Sequence, residues 1–202
     1  MMSIPRQRAL LALAFVLSGS LIASSSAVAA SREIEGVEFP AQHVIAGEPL
    51  ELRGAAVLRW RVLFRAYAAG LYVSPATPEG DVLGNVPKRL EIEYFWPIGA
   101  EDFGRAADQL LRETLDEGTL ERLRPRLDEL HEAFEPILPG DRYALTYHPV
   151  TGTELSKNGR PLAVIPGADF AAAYFSMWLG ERPIDLSMRE ALLGSNPMRA
   201  RE

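Results

Sequence analysis

Residues 54–73, GAAVLRWRVLFRAYAAGLYV, decide how this chain is read. Even positions Leu58, Trp60, Val62, Phe64, Ala66 and Ala68 are all apolar. Odd positions carry Arg59, Arg61, Arg65 and Tyr67, with Val57 and Leu63 between them. Successive side chains of a β-strand point to opposite faces. The pattern predicts one long strand, bending near residues 68–70, greasy on one face and rich in guanidinium on the other. What the guanidinium face meets, water or a ligand, sets the function.

Working outward, residues 34–39 (IEGVEF) read as a short strand ended by Pro40. Residues 43–52 read as two extended pieces around a Gly47-Glu48-Pro49 turn. Residues 75–87 hold three prolines and two glycines and form a loop. Residues 89–98 (RLEIEYFWPI) alternate again, with Leu90, Ile92, Tyr94, Trp96 and Ile98 on one face and Glu91 and Glu93 on the other. Helical stripes follow. Phe103, Ala106, Ala107, Leu110, Leu111 and Thr114 share a face behind the acidic Glu101 and Asp102, and Gly118 reads as the stop. Leu120, Leu123, Leu127, Leu130 and Phe134 make a second stripe that starts or kinks at Pro125. Residues 143–147 and 162–165 are strand-like, with Asn158-Gly159 a hairpin turn between them. Phe170, Tyr174, Met177 and Trp178 form a third stripe ending at Gly180, and a Ser187–Glu190 capping box opens a last helix closed by Gly194. Strands dominate early and no βαβ alternation is present. The fold class is α+β, a mainly antiparallel sheet covered by helices on one side.

Residues 1–30 read as a cleavable secretory leader: Arg6 and Arg8, a wholly apolar stretch over 9–17, then Ala27-Val28-Ala29 before cleavage after Ala29 or Ala30. The apolar run is shorter than the roughly 20 residues a bilayer span needs. The expected location is periplasmic or secreted, with no membrane-spanning segment after cleavage. Residues 31–197 form one domain and 198–202 a loose tail. The chain carries 21 basic and 27 acidic residues, a net charge of −6, and loss of the two leader arginines takes it to −8. That balance argues against a nucleic-acid binder. Cysteine is absent, so stability comes from the core alone.

There is no phosphate loop, dinucleotide fingerprint or nucleophile elbow. His43, His131 and His148 are not spaced with other ligands as a metal set would be, so neither a metal nor a cofactor is expected. Pairing of Arg61 and Arg65 with Glu91 and Glu93 across strands would give ordinary ion pairs on a solvated face. The other reading the pattern leaves open, for Arg59 in the middle of the stretch, is a ligand grip, a guanidinium holding a carboxylate by paired hydrogen bonds.

The 54–73 block resembles the early core motif of the chalcone isomerase-like superfamily: a glycine, an arginine, an aromatic-rich strand and a Gly-x-Tyr strand end. Residues 170–193, FAAAYFSMWLGERPIDLSMREALL, resemble its C-terminal motif, and the glycine-punctuated YHPVTGTELSKNGRPL lies between, in family order. The resemblance is nearest to the exported bacterial branch. It implies an open-faced β-sandwich, a large antiparallel sheet with a helical layer and a cleft between them. Arg59 then matches the arginine that the isomerases place near the reacting oxyanion. The rest of that site does not carry over. The isomerase threonine falls on Tyr67, the tyrosine on Phe103, the asparagine on Leu110, the lysine near Glu93 or Tyr94, and the last threonine on Met177.

The fatty-acid-binding branch of the superfamily fits better. The resemblance implies that Arg59 and Tyr72, with Tyr67 as second choice, grip a carboxylate. Phe103, Leu110, Leu111, Met177 and Trp178 would then line an apolar tail, or serve as plain core. The leading expectation is a periplasmic, monomeric, non-catalytic binder of a small amphipathic acid such as a fatty acid, with no catalytic residue assigned. The alternatives are an isomerase or lyase using Arg59 and Tyr94 on a phenolic or enone substrate, and a structural or partner-binding envelope protein with a closed cleft.

Overall fold

The computed structural model describes residues 31–60 and 64–195; residues 1–30, 61–63 and 196–202, and with them the expected leader and loose tail, lie outside the described residues. In chain order the elements are β1 (Arg32–Ile34), β2 (Val37–Phe39), β3 (Gln42–Ile45), β4 (Glu48–Trp60), β5 (Phe64–Val73), β6 (Lys88–Tyr94), α1 (Ala100–Thr114), α2 (Glu117–Glu132), β7 (Arg142–His148), β8 (Gly152–Lys157), β9 (Arg160–Ile165), α3 (Ala168–Leu179) and α4 (Leu186–Leu193). Strands β3 to β9 form one seven-stranded sheet in sequential order, every neighbour antiparallel. Helices cover its inner face. The β1–β2 hairpin is a separate two-stranded piece that covers part of the outer face through Val37 and Phe39, packed with Leu50, Ala55, Ala68 and Tyr72. This is the expected α+β open-faced sandwich.

The deciding stretch is not one strand. It is most of a hairpin, with Trp60 opposite Phe64 and Val57 opposite Ala68. Residues 61–63 (RVL) carry none of the Gly, Pro, Asn or Asp that announce a reversal, so the alternation reads straight through it. Two register slips then reset the faces. One lies between Leu52 and Gly54, so that Leu50 and Leu52 share the outer face with Ala55 and Val57. The other pairs Leu58 with Tyr67 but Arg59 with Arg65, which leaves Ala66 as the extra residue.

Tight turns are more frequent than the sequence pattern suggests. Glu35-Gly36 (φ 51° and 86°) splits the expected 34–39 strand, and Ala46-Gly47 (φ 50° and 85°) turns β3 into β4 just before Glu48 and Pro49. Both have the positive-φ pair of Asn158-Gly159, a turn where the sequence placed one, but it joins β8 to β9 and not residues 143–147 to 162–165. β8 itself was not anticipated as a strand. Helix α1 ends at Thr114, where Leu115 is already extended, so Gly118 is not its stop. Gly118 lies in the first turn of α2, which Asp116 caps by accepting from Thr119 N at 2.9 Å. α2 therefore starts well before Pro125 and contains it. Asp185, not Ser187, caps α4 by accepting from Met188 N at 2.7 Å, and Gly194 closes it at φ 79°. Gly54 on β4 faces the last turn of α4: a Cβ there would lie 2.6 Å from the Leu192 carbonyl oxygen and closer still to that of Ala191.

Candidate functional site

Between the inner sheet face and the helices lies a cavity of about 290 Å³. Strand alternation builds its floor. Tyr67 on β5, Leu90, Ile92 and Tyr94 on β6, Tyr143 and Leu145 on β7 and Leu155 on β8 all point inward. Helical spacing builds its roof: Phe103, Ala106, Ala107 and Leu110 from α1, and Tyr174, Met177 and Trp178 from α3. Ala66, Ile98, Asp102, Phe134 and Ile184 complete the wall, and the exposure of Asp102, Ala106 and Ile184 places its open side along α1 and the segment before α4.

The wall is aromatic and self-packed. Tyr94 meets Phe103 edge-on at 5.5 Å between centroids, Phe103 stacks on Phe134 at 4.8 Å, and Tyr143 stands edge-on to both. Polar groups in it are few and neutral. Trp178 Nε1 donates to the Tyr67 hydroxyl at 2.8 Å. Tyr143 Oη donates to the Glu135 carbonyl at 2.7 Å and accepts from Glu135 N. The Tyr94 and Tyr174 hydroxyls have no hydrogen-bond partner among the described residues. Burial pushes the phenols of Tyr67, Tyr94 and Tyr174 well above their ordinary range, and the neighbouring tyrosines push Tyr94 further. All three stay neutral at any physiological pH. Among the described residues the one ionisable side chain lining the cavity besides tyrosine is Asp102, at the rim. There its carboxylate accepts from Gly99 N at 3.2 Å and pairs with Arg105.

Of the residues singled out in the sequence, Tyr67, Tyr94, Phe103, Leu110, Met177 and Trp178 line this cavity together. Arg59 and Tyr72 do not. Arg59 follows inward-facing Leu58 and so points to the outer side, where it is half-exposed and pairs with Glu35 in the β1–β2 turn. The bulge at Ala66 sends Arg65 the same way, to Glu35 and over the Phe95 ring at 4.8 Å. The bulge leaves Arg59 on the outer side and brings Ala66 and Tyr67 together on the cavity side.

Tyr72 is fully buried beneath the outer face, its ring edge-on to His43 at 4.5 Å and its hydroxyl unpartnered among the described residues. Its neighbours form an ionic cluster. Arg142 donates to Glu91 at 2.8 Å, to Glu93 at 2.7 Å and to the Glu38 carbonyl at 2.8 Å; Arg89 donates to Glu91 at 3.0 Å and to Thr146 Oγ1 at 2.8 Å. His43 Nε2 lies 3.1 Å from Glu91. The acids of β6 are thus matched by Arg142 and Arg89, not by Arg65. Arg61 lies outside the described residues. This cluster pins the β1–β2 hairpin and is charge-balanced.

Tyr143, Tyr174 and Phe134 were missed as wall residues. Tyr174 and Phe134 already stood on apolar helical stripes, so their face was legible but its vacancy was not.

Among the described residues no group of three or more His, Cys, Asp or Glu is placed to hold a metal ion, and no helix is long and apolar enough to cross a membrane. A fatty-acid binding protein of Arabidopsis thaliana has a similar structure, with a TM-score of 0.60 over 82% of this chain and 97% of that one, at 16% sequence identity. No curated protein matches the sequence. A family model described as chalcone isomerase-like matches residues 31–194, and with the sheet, the helical layer and the cavity in their places the chain belongs to the chalcone isomerase-like family.

Proposed function

We propose that the protein is an exported, non-catalytic binder of a small amphipathic molecule, of fatty-acid type, whose apolar part occupies the inner cavity. The carrying observation is the cavity itself: about 290 Å³, walled by aliphatic and aromatic side chains, with phenols and an indole as its interior polar groups. An apolar cavity of about 150 Å³ already stays dry and takes up an apolar guest. The relative with a similar fold is a fatty-acid binding protein. The leader-like residues 1–30 support export. Against catalysis stand the phenols of Tyr67, Tyr94 and Tyr174, which burial holds well above neutrality and so unfit as proton acceptors, and the place of Asp102 at the rim.

The site takes a neutral head more readily than a buried carboxylate. Among the described residues no Arg, Lys or His lines the cavity, and an unpaired carboxylate within it costs several kcal/mol. A fatty acid therefore binds with its carboxylate at the open side, or protonated against the Tyr94 and Tyr174 hydroxyls. The test is titration of delipidated protein with medium- and long-chain fatty acids and the matching fatty alcohols. Binding of at least one series, lost in Leu110→Trp and kept in Arg59→Ala, is the expected result. No binding of either series refutes the proposal, and loss of binding in Arg59→Ala restores that arginine as the grip.

A further inference from the structure

We propose that the guest of the inner cavity is a neutral molecule of about twelve non-hydrogen atoms with an acceptor oxygen at one end, and that Tyr67, held by Trp178, donates to that oxygen; this rests on the cavity being a ligand site. An indole N–H can only donate. Trp178 Nε1 does so to the Tyr67 oxygen at 2.8 Å. The Tyr67 hydroxyl therefore meets Trp178 with a lone pair, and its own hydrogen points elsewhere. That hydrogen has no acceptor among the described residues, and the space beside both side chains is the cavity they line. A buried donor without a partner carries a desolvation cost that a guest's acceptor relieves. The unpartnered hydroxyls of Tyr94 and Tyr174 turn freely and give or take a hydrogen bond alike. Tyr67 differs from them in being set as a donor.

The cavity floor is graded away from this end. Strand register sets Tyr67 beside Tyr94, Ala69 beside Ile92 and Leu71 beside Leu90. Leu90 in turn lies beside Leu145, and Leu145 beside Leu155. The phenol row is thus about 13 Å along the strands from a row made wholly of leucine. A guest with one oxygen fits this floor in one direction, its oxygen at Tyr67 and its hydrocarbon over Leu90, Leu145 and Leu155. Volume sets its size. A cavity of about 150 Å³ takes up benzene, roughly 25 Å³ per carbon. At that share, about 290 Å³ holds about twelve non-hydrogen atoms. Longer chains protrude through the open side and gain little there.

The test is headspace partitioning of decan-2-one and its isostere 2-methyldec-1-ene over the delipidated protein, as wild type and as Tyr67→Phe. The ketone carries an acceptor oxygen where the alkene carries a methylene group. The variant is expected to bind the ketone about tenfold more weakly and the alkene as well as wild type does, so the alkene reports an intact cavity. The carbonyl stretch of the bound ketone is expected below its value in hexane with wild type, and to move back towards that value with Tyr67→Phe. Along a series of methyl ketones, affinity is expected to rise with length and to level off near about twelve non-hydrogen atoms. The donor role is overturned if the variant weakens both guests equally or weakens neither. The size is overturned if affinity still climbs at about eighteen. Either result, with both guests bound by wild type, leaves the ligand site standing. Binding of neither guest removes the ligand site itself, and this inference with it.

Discussion

Replacing Glu91 by glutamine tests how the outer face of the sheet is held. The Glu91 side chain is 7% exposed and faces Arg89, Arg142 and His43. Burial pushes its carboxyl up. The His43 contact, the Arg89 charge and the hydrogen bonds from Arg142 and Arg89 outweigh burial and hold it at about 2, against an ordinary 4.5. A carboxyl depressed on folding contributes stability in full above its unfolded value and loses it as pH falls through 4.5 towards 2. The drop corresponds to about 3 kcal/mol at pH 7, falling to about 1 kcal/mol by pH 3. Glu91→Gln should therefore cost about 3 kcal/mol in urea unfolding at neutral pH and much less at pH 3. Arg142→Leu should cost about 3–5 kcal/mol, because it strips both Glu91 and Glu93. The double variant should cost clearly less than the two costs added, since the pair is in direct contact. A Glu91→Gln deficit below about 1 kcal/mol at pH 7, or one equal at pH 7 and pH 3, refutes the account.

Two further predictions concern the inner layer. Gly54→Ala should cost about 3 kcal/mol, or roughly 6–12 °C in unfolding temperature for a chain of this size, because its Cβ would meet the backbone carbonyls of Ala191 and Leu192; an unchanged melting temperature would show that α4 is not seated on β4. Lys88 is fully buried, donates to the Gly84 carbonyl at 2.8 Å and lies over the Tyr147 ring, and burial lowers its ammonium to about 8 from 10.5. The folded state thus bears the full penalty below about 8 and sheds it as pH rises to 10.5. Wild type should gain up to about 3 kcal/mol relative to Lys88→Met between pH 7 and pH 10, and parallel stability curves for the two proteins would contradict this.

Much of the architecture was legible because it is written in local periodicity. The alternation Leu90, Ile92, Tyr94 and the stripe Phe170, Tyr174, Met177 fix which side chains point inward whatever the topology. The β4–β5 reversal was not legible, because residues 61–63 lack turn chemistry and both strands are apolar. Nor were the slips at Leu52/Gly54 and Leu58/Arg59, since a bulge is a property of the pair of strands and leaves no mark on one of them. The candidate site divides along the same line. Tyr67, Tyr94, Phe103, Leu110, Met177 and Trp178 were found because inward direction follows from period. Arg59 was placed by motif alone, and motif does not report the face.

The two faces of the sheet handle charge in opposite ways. On the outer face Arg89, Arg142, Glu91 and Glu93 are packed into mutual hydrogen bonds, and their balance leaves little to offer a ligand. On the inner face no side chain of the floor strands that borders the cavity is charged: Tyr67, Tyr94 and Tyr143 stand there instead, and Lys88 lies at the far end of β6, sealed by Tyr147 and Phe175. Alternation allows this separation, since Glu91 and Glu93 are adjacent in sequence to Ile92 and Tyr94 yet lie across the sheet from the cavity. One consequence bears on specificity. Neutral phenols pair with a hydroxyl, a carbonyl or a protonated acid alike, so shape and apolar length would select the guest.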